Sequence, residues 1–211
     1  MALDLQQQQQ FDGLIVWWQR WGYWFVAVIV VALCSYVGVR VWQHYQDEQN
    51  QQVAQRYLAV EKAFTAKQMD TVTQLATELA DDFPRHALTA RAKLLAAKLA
   101  FENNQLEQSA QQLQWVIEHV SDKVLVATAK LRLANVWLDQ GNYDAALAML
   151  AKVDVAAFKP LFAEFSGDIW QAKGDKVKAK QAYDEALATL TGRMHERRPI
   201  IELKRSSLEG A

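Results

Sequence analysis

Between Arg20 and Arg40 the chain runs through nineteen residues, Trp21 to Val39, without a charged side chain. Wound as a helix at about 1.5 Å per residue, that stretch is about 28 Å long, close to the hydrocarbon thickness of a bilayer. Its centre, Phe25-Val26-Ala27-Val28-Ile29-Val30-Val31-Ala32-Leu33-Cys34, is apolar on every side, so it does not read as an amphipathic helix lying in the interface. Trp17, Trp18, Trp21, Tyr23 and Trp24 stand before it; Tyr36, Trp42 and Tyr45 stand after it. Rings at both ends are the expected interface anchors of a membrane span.

A cleaved signal peptide is a poor fit. The residues before the span carry only Arg20 against Asp4 and Asp12, and no Ala-x-Ala site follows. Lipoprotein processing at Cys34 needs a small residue before it, and Leu33 stands there. The expectation is an uncleaved, single-span anchor in contact with membrane lipid. Residues 1–20 then form a short tail, 21–41 the transmembrane helix and 42–211 a helical domain. Flanking charge leaves the orientation open: Arg20 and the amino terminus lie on one side, Arg40 and Arg56 on the other. The run Gln6 to Gln10 reads as a disordered polar tail.

Only 8 Gly and 3 Pro occur in 211 residues, which argues against a turn-rich β protein and for an all-α one. The net charge of −1 gives no electrostatic footprint for nucleic acid. A single Cys excludes an intrachain disulfide framework and a Cys-cluster zinc site. His44, His86, His119 and His195 do not stand at metal-ligand spacing, and there is no phosphate loop or nucleophile elbow. No cofactor, metal site or catalytic centre is therefore expected. Arg197-Arg198 and Lys204-Arg205 read as a solvated helix face.

Beyond the span the chain repeats itself. Gly141-Asn142-Tyr143-Asp144-Ala145-Ala146-Leu147 matches Gly174-Asp175-Lys176-Val177-Lys178-Ala179-Lys180 at an offset of 33, which also pairs Ala134 with Gly167 and Trp137 with Trp170. Gly ends one helix, a polar residue begins the next, and small residues sit where the two cross. Weaker copies turn at Asn104, with Ser109 in the small position, and at Lys67, followed by Pro84. The turn anchors 67, 104, 141 and 174 are spaced 37, 37 and 33. Gly141, Tyr143, Ala146, Ala134 and Trp137 resemble the signature of the tetratricopeptide repeat, as do Gly167, Trp170, Gly174 and Ala179. The spacing predicts about four helix pairs and a capping helix. The expected helices after the span are 70–82, 85–102, 106–120, 122–139, 143–153, 160–172 and 176–190, with a cap over 195–208. Ser121-Asp122 is placed to start the helix that follows it.

One span followed by a divergent array of this kind resembles the YfgM family, the ancillary subunit of the SecYEG translocon. The resemblance rests on Trp17-Trp18, Arg40, the turns at Asn104, Gly141 and Gly174, and the segment Pro199 to Lys204. Five Gln stand where that family usually carries acidic and Lys residues before the span. The resemblance implies a bacterial inner-membrane adaptor with a cytoplasmic N-terminus and a periplasmic array. It also implies SecYEG and the membrane-anchored chaperone PpiD as partners, with emerging secretory polypeptides as a further one.

Stacked helix pairs expose an inner surface made by their first helices. Its expected positions are Arg91, Leu94, Lys98, Phe101 and Glu102 in the second unit and Leu131, Asn135, Leu138 and Asp139 in the third. Leu94, Phe101 and Leu138 serve equally well as core. The other function class is a self-associating scaffold for envelope assembly.

Overall fold

The computed structural model describes the backbone of residues 2–152 and 155–209, and side chains from Tyr23 onward, Phe25 excepted. Among the described residues the chain is all-α: nine α-helices and two short 3-10 turns, with no strand. Two compact units divide it, residues 1–52 and residues 53–211.

The first unit lies within α1 (Ala2–Thr65). The helix contains a stretch long and apolar enough to cross a membrane, and none of that stretch is buried. Val28, Val31, Leu33, Val37 and Val41 are all exposed, as are Trp24, Trp42, Tyr23, Tyr36 and Tyr45. The side chains of Trp17, Trp18 and Trp21 lie outside the described ones. The backbone of Gln6 to Gln10 is helical rather than irregular. Gln, Leu and Ala, which make up most of residues 2–10, all favour a helix.

In the second unit the last turns of α1, from Val53, pair with α2 (Met69–Asp82). Three further pairs follow: α3 (Ala87–Glu102) with α4 (Leu106–His119), α5 (Lys123–Asp139) with α6 (Tyr143–Leu150), and α7 (Lys159–Ala172) with α8 (Lys176–Thr189). The last helix, α9 (Arg198–Ser207), packs on α8. Each pair turns through the same device. Lys67, Asn104, Gly141 and Gly174 all have positive φ, at 54°, 59°, 76° and 88°. At each turn the next residue's N–H reaches back to the carbonyl of Ala63, Ala100, Trp137 or Trp170, at 2.8–3.0 Å. A second bond joins the anchor's own N–H to Phe64, Phe101, Leu138 or Gln171. This pair of bonds is the Schellman ending, and it satisfies carbonyls that the helix end would otherwise leave bare.

The cores are shared between neighbours. Val53, Val60 and Ala63 of α1 pack with Val72, Ala76 and Leu79 of α2 and with Ala92, Ala96 and Leu99 of α3. Leu94 and Ala97 of α3 join α4 and α5 in the next cluster, and Leu131 and Ala134 of α5 join α6 and α7 in the third. Each cluster thus binds a pair to the first helix of its successor, the arrangement of a quasi-one-dimensional repeat array. The small positions are fully enclosed: Ala134, Ala146 and Ala179 have no exposed surface, and Ser109 spends its hydroxyl on the Ala97 carbonyl at 2.8 Å. An ideal Cβ on Gly167 would lie 2.4 Å from the Tyr183 ring, so any side chain at this crossing must displace that ring. Trp137 and Tyr143 are half-buried against the third cluster, and Trp170 against the fourth.

Local signals act as the sequence suggests in most places. Asp122 caps α5 through Val124 and Leu125 N–H, and Asp175 caps α8 through Lys178 N–H. Asn142 makes no side-chain cap bond, however. Pro84 stands in the exposed turn between α2 and α3, and His86 Nδ1 accepts from Leu88 N–H to start α3. Two ends differ from expectation. α6 stops at Leu150 rather than 153, because the following residues lead through a 3-10 turn, Ala156–Phe158, to Pro160 in the first turn of α7. Val153 lies outside the described residues. The cap begins with a second 3-10 turn, Gly192–Arg197, before Pro199 opens α9.

Candidate functional site: a groove across the first helices

The first helices of successive pairs touch: α3 meets α5, and α5 meets α7. Their long side chains leave a groove of about 460 Å³ between them. Lys98 and Phe101 of α3 form one wall, and Leu131, Arg132 and Asn135 of α5 form the other. Leu113 of α4 and Phe165 of α7 also line it. The lining is mostly apolar with a few polar groups, a composition suited to holding a side chain of a partner.

Four of the nine sequence-derived inner positions line this groove: Lys98, Phe101, Leu131 and Asn135. The other five lie elsewhere. Leu94 is buried in the cluster it shares with Ala97 and Leu133, and Leu138 is half-buried in the third cluster. Arg91, Glu102 and Asp139 are exposed. Lys98 lies 3.7 Å from Glu102 on its own helix and 5.5 Å from the centroid of the Phe64 ring. Sequence reasoning missed Arg132, Leu113 and Phe165. The offset of 33 that pairs Ala134 with Gly167 also pairs Arg132 with Phe165, but the packing of the helices, and not the offset, brings both to one groove.

Arg132 is the polar feature of the wall. Its Nη1 donates to the Leu94 carbonyl oxygen at 3.3 Å. The residue is exposed overall, yet desolvation by its neighbours lowers the guanidinium pKa. Nearby hydroxyls are already committed, Ser109 to Ala97 and Thr128 to the Val124 carbonyl at 2.8 Å.

A second polar constellation closes the array. Glu164 of α7 is 1% exposed, between Ala163 and Phe165. Arg197 grips it with two bonds of 2.9 Å, and Lys204 adds a third at 2.9 Å. Lys204 also reaches Asp168 at 2.7 Å, and the Tyr183 hydroxyl donates to Asp168 at 2.8 Å. Burial alone would raise the Glu164 pKa; the bonds and charges of Arg197 and Lys204 outweigh it and hold the carboxyl below its ordinary value. The basic segment expected to be a solvated face therefore turns two of its cations inward. Arg205 pairs with Asp184 at 2.8 Å and Arg198 with Glu202 at 3.5 Å. Lys204 and Arg205 thereby fasten α9 to α7 and α8 at the end of the stack, while the Arg198–Glu202 pair lies within α9 itself. Among the described residues no three His, Cys, Asp or Glu side chains gather as metal ligands.

Comparison with known proteins places this architecture. The family described as a tetratricopeptide repeat-like domain matches residues 16–210. An ancillary SecYEG translocon subunit of Neisseria gonorrhoeae is 32% identical over 211 residues, covering 99% of this chain and 100% of its own. A protein of the same name from Haemophilus influenzae is 29% identical over 188 residues, covering 88% and 91%. Another from Escherichia coli is 26% identical over 156 residues, covering 74% and 75%. The apolar helix and the repeat array both fall within the family match and the Neisseria gonorrhoeae alignment, and the chain belongs to the YfgM family of ancillary SecYEG translocon subunits.

Proposed function

We propose that this chain is a non-catalytic adaptor of the SecYEG translocon in the bacterial inner membrane. Its apolar helix crosses the membrane once with the N-terminus in the cytoplasm, and its array works on the periplasmic side. There the array holds a chaperone, PpiD by family resemblance, or a polypeptide emerging from the translocon. The observation that carries the reading is the match along 99% of the chain to a relative named for the translocon, taking in helix and array together. The span's exposed apolar surface supports lateral docking in lipid, and the groove at Lys98, Phe101, Leu131 and Asn135 offers the array a surface for a partner.

A photoreactive residue at Val28 tests the first half. Adducts with translocon subunits are expected, whereas self-adducts alone would replace the adaptor with the self-associating scaffold. A reporter fused at the C-terminus tests the orientation: it should be active only in the periplasm, and activity confined to the cytoplasm would reverse it. Affinity capture in mild detergent, followed by mass spectrometry, should return the chaperone with the translocon.

A further inference from the structure

Corresponding stretches of α5 and α7 carry charge differently: the acids of α7 stand where α5 is neutral, and Arg132 stands where α7 has Phe165. Leu131 and Asn135 of α5 correspond, thirty-three residues on, to Glu164 and Asp168 of α7. In α7 those acids are met by the chain's own Arg197 and Lys204. One pair earlier the wall carries a cation instead. Arg132 spends one donor on the Leu94 carbonyl, and among the described residues no carboxylate pairs with it. Desolvation by its neighbours lowers its pKa. Its remaining donors form a planar fork matched to a carboxylate. Phe101, Leu113, Leu131 and Phe165 line the same groove with apolar surface.

We propose that this groove receives an internal segment of another polypeptide in which an acidic side chain stands beside bulky apolar ones. The carboxylate sits on Arg132, and the apolar side chains lie against Phe101, Leu131 and Phe165. This rests on the array being a partner-binding surface and narrows what that surface selects. Charge complementarity decides the sign of the ligand: a desolvated guanidinium without a counter-ion gains most from an anion. Residues of three successive pairs line the groove, which suits a segment passing through rather than a chain end.

The test uses the full-length protein in detergent micelles and three rhodamine-labelled peptides read by anisotropy. The first is acetylated and amidated, with one central Glu flanked by Leu and Phe. The second has Gln for that Glu. The third has Gln and a free C-terminal carboxylate. The Glu peptide should bind about tenfold more tightly than the Gln peptide. Arg132→Gln should abolish that preference, and Arg132→Lys should keep part of it, which shows that charge and not misfolding is at issue. Equal binding of the Glu and Gln peptides overturns the proposal, as does a preference that survives Arg132→Gln. So does tightest binding of the peptide with the free carboxylate, which would assign the groove to chain ends. A photoreactive residue at Asn135, used in cells, separates the two levels. If it yields adducts with other polypeptides while the peptides show no Glu preference, this proposal fails and the partner-surface reading stands. If it yields none and no peptide binds, both fail.

Discussion

Lys67 holds φ at 54° in a turn whose counterparts are Asn104, Gly141 and Gly174. A side chain in the left-handed region costs about 1–2 kcal/mol, of which glycine's greater unfolded-state freedom would take back about 0.4–1 kcal/mol. Lys67→Gly should therefore stabilise the array by about 0.5–1 kcal/mol in urea unfolding. Asn104→Gly should change it less, because Asn tolerates this region. Equal gains at the two sites would show that the φ argument is wrong. The opposite case is Gly167, where a Cβ meets the Tyr183 ring at 2.4 Å. Gly167→Ala should cost about 3 kcal/mol through overpacking. Combined with Tyr183→Ala it should add almost nothing to the cost of that change, which a double-mutant cycle on thermal or urea unfolding would measure. These positions were legible because backbone demands are written locally. Gly141 and Gly174 announce a positive φ, and spacing alone locates Lys67 and Asn104. Glu164 was less legible. A lone acid among Ala163, Phe165 and Phe162 signals a partner, but that partner lies more than thirty residues away in Arg197 and Lys204.

At the scale of elements, α9 depends on that distant pairing. Its apolar contribution to the fourth cluster is mainly Ile201, with Leu208 just beyond it, while Leu203 faces outward. The Glu164 clamp adds to its hold through Lys204, beside the Arg205–Asp184 pair. Removing the charge leaves Arg197 and Lys204 facing a neutral group, so Glu164→Gln should cost about 2–3 kcal/mol, discounted because both cations are partly exposed. Glu164 has a folded pKa below its ordinary 4.5. Its contribution is complete above about pH 4.5 and is lost as the pH falls through the lower folded value. Thermal melts by circular dichroism should show the wild type losing part of its stability on acidification below pH 4.5. Glu164→Gln should start lower and show less of that loss; an identical acid profile would remove Glu164 from the account. Helix ends and helix pairs were readable from capping residues and period, since both are fixed within a few residues. The groove was only half readable. The inner positions of α3 and α5 follow from counting along each helix, but Leu113 and Phe165 enter by the way four helices pack.

The whole molecule raises the question of where the array begins. The sequence places the boundary after residue 41, at the end of the apolar run, because hydropathy marks where a membrane span stops. Packing marks something else. Val53 and Val60 have no exposed surface, and Ala63 has little; all three belong to the cluster formed with α2 and α3. Tyr57 and Phe64 pack against the same cluster. The last turns of α1 are therefore the first helix of the first pair, and the turn at Lys67 closes that pair as Gly141 closes the third. A fragment of residues 53–211 should unfold cooperatively by circular dichroism. A fragment of residues 68–211 strips cover from Val72, Ala76, Leu79, Ala92, Ala96 and Leu99. Each lost valine is worth about 1.5–3 kcal/mol of burial, a large share of a stability that is typically about 5–15 kcal/mol. Because contacts in a repeat array run between neighbours, the damage should stay local. Amide exchange should show protection lost in α2 and α3 but retained in α8 and α9, whose cluster around Tyr183 is untouched. Uniform loss along the whole array would mean that the four pairs fold as one unit, and equal protection in both fragments would move the boundary to the turn at Lys67.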